Sequence, residues 1–167
     1  MKYILISAIV LLFGCCSTSK VEKTTQEKTK TASSNPISKE KAVEYQMVYT
    51  STDSGSPSEK MTVIDDADVF NGIWAETNRN SPTPEVDFEN QTVIMCAIGE
   101  KFSGGYAVKA HSAIENELQI TVTFEATHPG KNCITTEALT YPITFISVAK
   151  TDKKIELKKI IKITKCD

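Results

Sequence analysis

Two histidines, five cysteines, one serine beside paired glycines and a short run of aspartates are the residues of this 167-residue chain best equipped for catalysis, metal binding or cross-linking. Ser103 precedes Gly104-Gly105 in the stretch EKFSGGYAVKAHSAI, residues 100–114. A serine nucleophile needs a base within hydrogen-bond reach, and the hydrolase elbow places its serine in the order Gly-x-Ser-x-Gly. Here the order is Lys-Phe-Ser-Gly-Gly. His111 falls on the polar side of an alternating stretch, His128 stands beside Pro129 in what reads as a turn, and no spacing selects either as a base. Asp65, Asp66 and Asp68 could face a cation, but acids at a helix start are already favoured by the helix dipole. The twelve-residue calcium loop and the paired cysteines of zinc sites are both missing from the sequence. The expectation is therefore a chain that is not an enzyme and needs no metal or cofactor.

The cysteines point elsewhere. The chain opens MKYILISAIVLLFGCCSTSK: a lysine, an apolar run from Tyr3 to Phe13, then Gly14 and Cys15. That order is the secretory signal pattern, and the run is short for a membrane span. Leu12-Phe13-Gly14-Cys15 resembles the lipobox of bacterial lipoproteins, in which cleavage before the cysteine frees it to carry diacylglycerol and fatty acyl chains such as palmitate. Residues 1–14 are then a signal peptide and Cys15 is the lipidation site. Each buried acyl methylene contributes about 0.8 kcal/mol, so several chains hold a protein on a membrane. Cys16 in the following position is not acidic, which favours the outer membrane over the inner.

Residues 15–41 continue as a tether, nearly all Ser, Thr, Lys, Glu and Gln after the cysteines. Such a segment buries too little apolar area to offset its ordering entropy. Residues 42–167 are the size of one domain. The formal charge of −2 becomes −3 when the signal peptide takes Lys2 with it, so no strongly basic surface and no nucleic-acid partner are expected.

The elements that must position the remaining residues read as a single small α+β domain, a mainly antiparallel sheet with one packed helix. Tyr45–Thr50 and Lys60–Ile64 suggest a hairpin around the loop STDSGSPSE. A helix follows, capped by Asp65 or Asp66, with Val69, Phe70, Ile73 and Trp74 on one side. Val93 to Ile98 is an unbroken apolar run, the pattern of a central strand buried on both faces. Tyr106 to His111 and Leu118 to Glu125 alternate as a hairpin turning at Glu115-Asn116. YPITFISV and KKIELKKIIKI read as a last hairpin around Thr151-Asp152. That hairpin would return Cys166 to the vicinity of residue 138, so a Cys133–Cys166 disulfide is expected, with Cys96 as a small buried hydrophobe.

Several local patterns occur together in a fixed order: Asp87-Phe88 before the apolar strand, Gly104-Gly105-Tyr106 after it, Pro129-Gly130, then Ala138-Leu139-Thr140-Tyr141-Pro142. In this succession residues 61–150 resemble the C-terminal domain family of the protease complex subunit PrcB. The resemblance implies a non-catalytic accessory subunit or protein-binding module. Ser103 stands where the family has threonine, and Lys101-Phe102 replaces arginine-proline. The glycine pair permits a bend or a bulge. It also offers Lys101, Phe102, Ser103, Gly104, Gly105 and Tyr106 as a protein-contact loop, because aromatics supply large contact areas at interfaces. Two other functions compete with this one: a protease-inhibitor-like domain, and a small-ligand binder with a pocket beside Trp74.

Overall fold

The computed structural model describes residues 39–78 and 81–166. The expected signal peptide, Cys15, Cys16 and the expected tether up to residue 38 lie outside the described residues. Eight strands and a helix follow in the order β1 (Lys41–Ala42), β2 (Tyr45–Ser51), β3 (Glu59–Ile64), α1 (Ala67–Thr77), β4 (Gln91–Ile98), β5 (Ala107–Glu115), β6 (Gln119–Pro129), β7 (Ile143–Ala149) and β8 (Lys154–Thr164). They form two four-stranded sheets, β1-β5-β6-β8 and β2-β7-β4-β3. All pairings are antiparallel except β6 with β8, which is parallel. The fold class is α+β, with two sheets where the sequence suggested one.

The apolar run of β4 explains the layering. Ile94, Cys96 and Ile98 point into a core between the sheets, where Val108, Ile120, Val122, Phe124, Ile146 and Val148 join them. Val93, Met95 and Ala97 point the other way, towards Phe70 and Trp74 of α1 and Phe145 of β7. β4 is thus buried on both faces, as its continuous hydrophobicity predicts. Each large side chain so enclosed contributes roughly 1.5–3 kcal/mol. Asp66 caps α1 by accepting from the amides of Asp68 and Val69. Asp65 turns away, accepting from the Thr92 hydroxyl and facing Lys150. Val69 is exposed, so the buried stripe of the helix is narrower than its spacing suggested.

Two expected hairpins do not form. β2 and β3 occupy opposite edges of their sheet, and residues 52–58 carry the chain between them across the ends of β7 and β4. Tyr141 N donates to Thr52 O and Glu100 N to Pro57 O along that path. β7 cannot pair with β8, because β2 and β4 already flank it on both sides. The chain instead crosses to the other sheet in four residues, and β8 lies parallel to β6. Within the β5–β6 hairpin the turn is one step later than expected: Asn116 Oδ1 accepts from the amides of Leu118 and Gln119, leaving Leu118 83% exposed at the tip. His128 also lies in β6 and not in a turn. Residue 41, read as the end of the tether, is already in β1.

Candidate functional site

Two loops meet at the end of the sandwich where β4, β6 and β8 finish and β5 and β7 begin. Residues 99–106 link β4 to β5, and residues 130–142 link β6 to β7. They are held together by backbone hydrogen bonds. Lys101 and Thr140 exchange two bonds of 2.8 Å, and Gly104 N donates to Thr136 O at 2.9 Å. The Thr140 hydroxyl adds a bond to Ser103 O, and Tyr141 Oη donates to Glu100 at 2.7 Å. That bond keeps the Tyr141 phenol protonated, its pKa raised by the neighbouring carboxylate.

The glycine pair is what lets the loops close. A Cβ on Gly104 would sit 2.4 Å from the Thr136 hydroxyl, so a larger residue would force that side chain to turn aside. Gly105 has φ +86°, a left-handed conformation costly to other residues, and packs against Pro129 and Thr135. The pair therefore acts as a bend whose purpose is close approach between two backbones.

The disulfide pins this arrangement a third time. Cys133 and Cys166 are bonded, with Cα atoms 5.0 Å apart. The expected pairing occurs, but by a different route. The parallel register sets Pro129 opposite Thr164, which places the next residues of each strand side by side. Cys96 is free and buried, and burial pushes its thiol up to about 12, which keeps it out of thiolate chemistry.

On this framework the six residues of the expected contact loop take different roles. Phe102 projects with 81% of its surface exposed. Lys101 does not project: its Nζ bonds Ile98 O at 2.6 Å and lies 5.9 Å from the Tyr106 ring centroid. Ser103 contributes its carbonyl to the tie with Thr140. Tyr106 packs edge-on against His128, with ring centroids 5.2 Å apart. Burial, then the charges of Lys101 and Lys159, hold His128 below the ordinary histidine pKa, so the ring is neutral at pH 7. His111 is elsewhere, on the outer face of the β5–β6 sheet beside Glu125.

The sequence reading missed two further apolar residues at this end. Ile134 is fully exposed and Leu139 is half-exposed, both on the second loop. An isolated isoleucine in GKNCITTEA was the available signal, but its meaning depends on the tie between Gly104 and Thr136. Like Phe102, they are apolar residues exposed on two mutually braced loops. The ligand pocket expected beside Trp74 is absent there. Trp74 is 2% exposed, packed against Tyr49, Phe70 and Phe145, and its indole N–H bonds Ser81 O. A groove of about 660 Å³ lies elsewhere, between residues 43–46, 87–91 and 147–149. Among the described residues no group of three or more His, Cys, Asp or Glu converges as a metal site.

The braced loops fall inside the part of the chain that matches a known family. Residues 92–149 match the family model described as PrcB C-terminal. The matched span runs from β4 through β7 and includes both loops; β3 and α1, which the resemblance also covered, lie outside it. Searches of the curated proteins and of the solved structures return no match.

Proposed function

We propose that this chain is a lipid-anchored, non-catalytic accessory module that holds a partner protein through its two braced loops. The observation that carries this reading is Phe102, exposed on a loop that is itself fixed by the Lys101–Thr140 pairing and the Gly104–Thr136 bond. A rigid aromatic presented this way loses little conformational freedom on binding, which is the requirement for an interface anchor. The PrcB C-terminal match supports a partner within a cell-envelope protease complex. The lipobox at Cys15 supports anchoring through the N-terminus, with the outer membrane favoured by Cys16. The described chain enters through Lys41–Ala42, paired with Glu115 and Ile114, at the end of the sandwich opposite Phe102.

The test is co-purification from native membranes with a C-terminally tagged protein. The wild type is expected to retain one protein in near-equal amount, and Phe102→Asp to lose it. Lys101 is left intact, since its side chain holds the loop. Equal recovery by both forms, or no partner with either, would end this reading.

A further inference from the structure

β8 is an edge strand of unusual composition. Residues 153–165 contain six lysines and one glutamate, a net +5 within a chain of formal charge −2. The near-neutral total conceals this cluster, in which Lys153, Lys158, Lys159 and Lys162 each pair with a carboxylate, those of Glu115, Glu156, Glu59 and Glu125. All eleven residues of β8 pair with β6 without a register shift, so the strand is long and regular. Its other side is the end of the sheet, and among the described residues no strand pairs with it. Alternate backbone N–H and C=O groups along that side are open to a further strand.

The side chains of β8 divide into two rows. Lys154, Glu156, Lys158, Ile160 and Lys162 line the outer row, level with the outward residues of β6, with Lys158 3.2 Å from Glu156 and Lys162 3.6 Å from Glu125 of β6. Ile161 and Ile163 continue the inner row opposite Ala126 and His128, yet are 58% and 66% exposed because the other sheet stops short of them. An added strand would therefore meet a row in which lysines outnumber carboxylates on one face and exposed isoleucine on the other. A second copy of this chain is a poor occupant, since self-pairing would set one lysine-rich strand against another. Lysines on an edge suppress such self-association. The same charges favour a strand of opposite sign.

We propose that β8 accepts an extended segment of another protein by strand addition, a segment alternating acidic and apolar side chains. Its acidic residues would face Lys158 and Lys162, and its apolar residues would cover Ile161 and Ile163. This edge is a different element from the loop of Phe102, and peptides test it without any need to know the partner of the braced loops.

The probe is a fluorescein-labelled octapeptide of alternating glutamate and valine, titrated by anisotropy against the mature protein. Three comparisons accompany it: the same peptide N-methylated at alternate residues, a lysine-valine counterpart, and vesicles rich in phosphatidylglycerol. Amide exchange of β8 is followed by NMR. Saturable binding, slowed exchange at alternate β8 amides and at least a tenfold loss on N-methylation are expected. Lys158→Gln/Lys162→Gln should weaken the glutamate peptide about tenfold, and unchanged far-UV circular dichroism would show the fold intact. Equal binding of the N-methylated or lysine peptide would overturn strand addition or its charge preference. Binding of the vesicles in place of the peptide would assign the strand to anionic lipid, and no binding up to millimolar peptide would reject the proposal outright.

Discussion

The two ends of this sandwich are made from the same strands but finished differently. At one end the β1–β2, β5–β6 and β7–β8 connections are short, and they are held by Lys150 N donating to Asn90 O and Lys153 Nζ donating to Asn116 O. Residues 43–44 and 150–153 barely clear the sheet edges, and the Asn116 turn satisfies its own amides with its own side chain. At the other end two long loops would be floppy alone, and they become rigid by bonding each other and by the Cys133–Cys166 bridge. Each end exposes apolar residues: Leu118 at the first, Phe102 and Ile134 at the second. Exposure is therefore a poor guide to function by itself. What distinguishes Phe102 is a loop paired through its backbone with a second, disulfide-tied loop, where Leu118 tips a short turn.

The largest effect should come from removing the cross-link that only the second end possesses. The bridge closes a sequence separation of 33 residues, for which chain entropy gives about 3–4 kcal/mol. Cys133→Ser/Cys166→Ser should lower stability by about that amount in urea unfolding, with exchange of loop amides rising before that of β4. A loss confined to the global transition, with the loops still protected, would mean that the hydrogen bonds alone brace them.

Next in size is the difference between the exposed residues themselves. A central aromatic anchor contributes about 2 kcal/mol or more to an interface, near 30-fold in affinity. Phe102→Ala should weaken partner binding by at least that factor in surface plasmon resonance. Leu118→Ala, equally exposed, should leave it within twofold. Similar losses at both positions would remove the distinction between the ends.

The glycines give a smaller and oppositely signed pair. Gly105→Ala forces a side chain into positive φ and against Pro129, and should destabilise by roughly 1–2 kcal/mol. Gly72→Ala, in α1 with no atom within 4 Å of the new Cβ, should stabilise by about 0.5–1 kcal/mol. Thermal melts of the two variants check both signs.

The smallest effect is with pH. His128 has a folded pKa below its unfolded value, so the unfolded chain binds the extra proton first. Its contribution is fully present above pH ~6.5 and declines as pH falls below that value. Glu115 and Glu125, whose folded pKa values are also depressed, lose theirs only at more acidic pH. Lys153 bonding to Glu115 causes the first shift. At Glu125 burial acts to raise the pKa, and Lys109 and Lys162 together outweigh it. Stability should therefore fall modestly between pH 7 and 5, and His128→Gln should flatten that slope in denaturation midpoints.

Much of this was legible from local pattern. The unbroken run Val93–Ile98 announced a strand buried on both faces, and Asp65-Asp66 before an amphipathic stretch announced the helix start without deciding which of the two caps it. Pairing was not legible at β2–β3 and β7–β8. Turn residues at 52–58 and 151–152 show that the chain bends, but not that β7 already has two neighbours. The disulfide was foreseen through a hairpin that does not exist, and it forms because a parallel strand ends at the same place. Ile134 was invisible because one isoleucine among polar residues acquires significance only beside Phe102.

The most direct test of the central claim is photo-cross-linking in native membranes, with p-benzoylphenylalanine placed at position 102 in one strain and at position 118 in another. Cross-linking of a single protein from position 102 and none from position 118 is the result predicted by a braced contact surface. The same products from both positions, or products from position 118 alone, would contradict it.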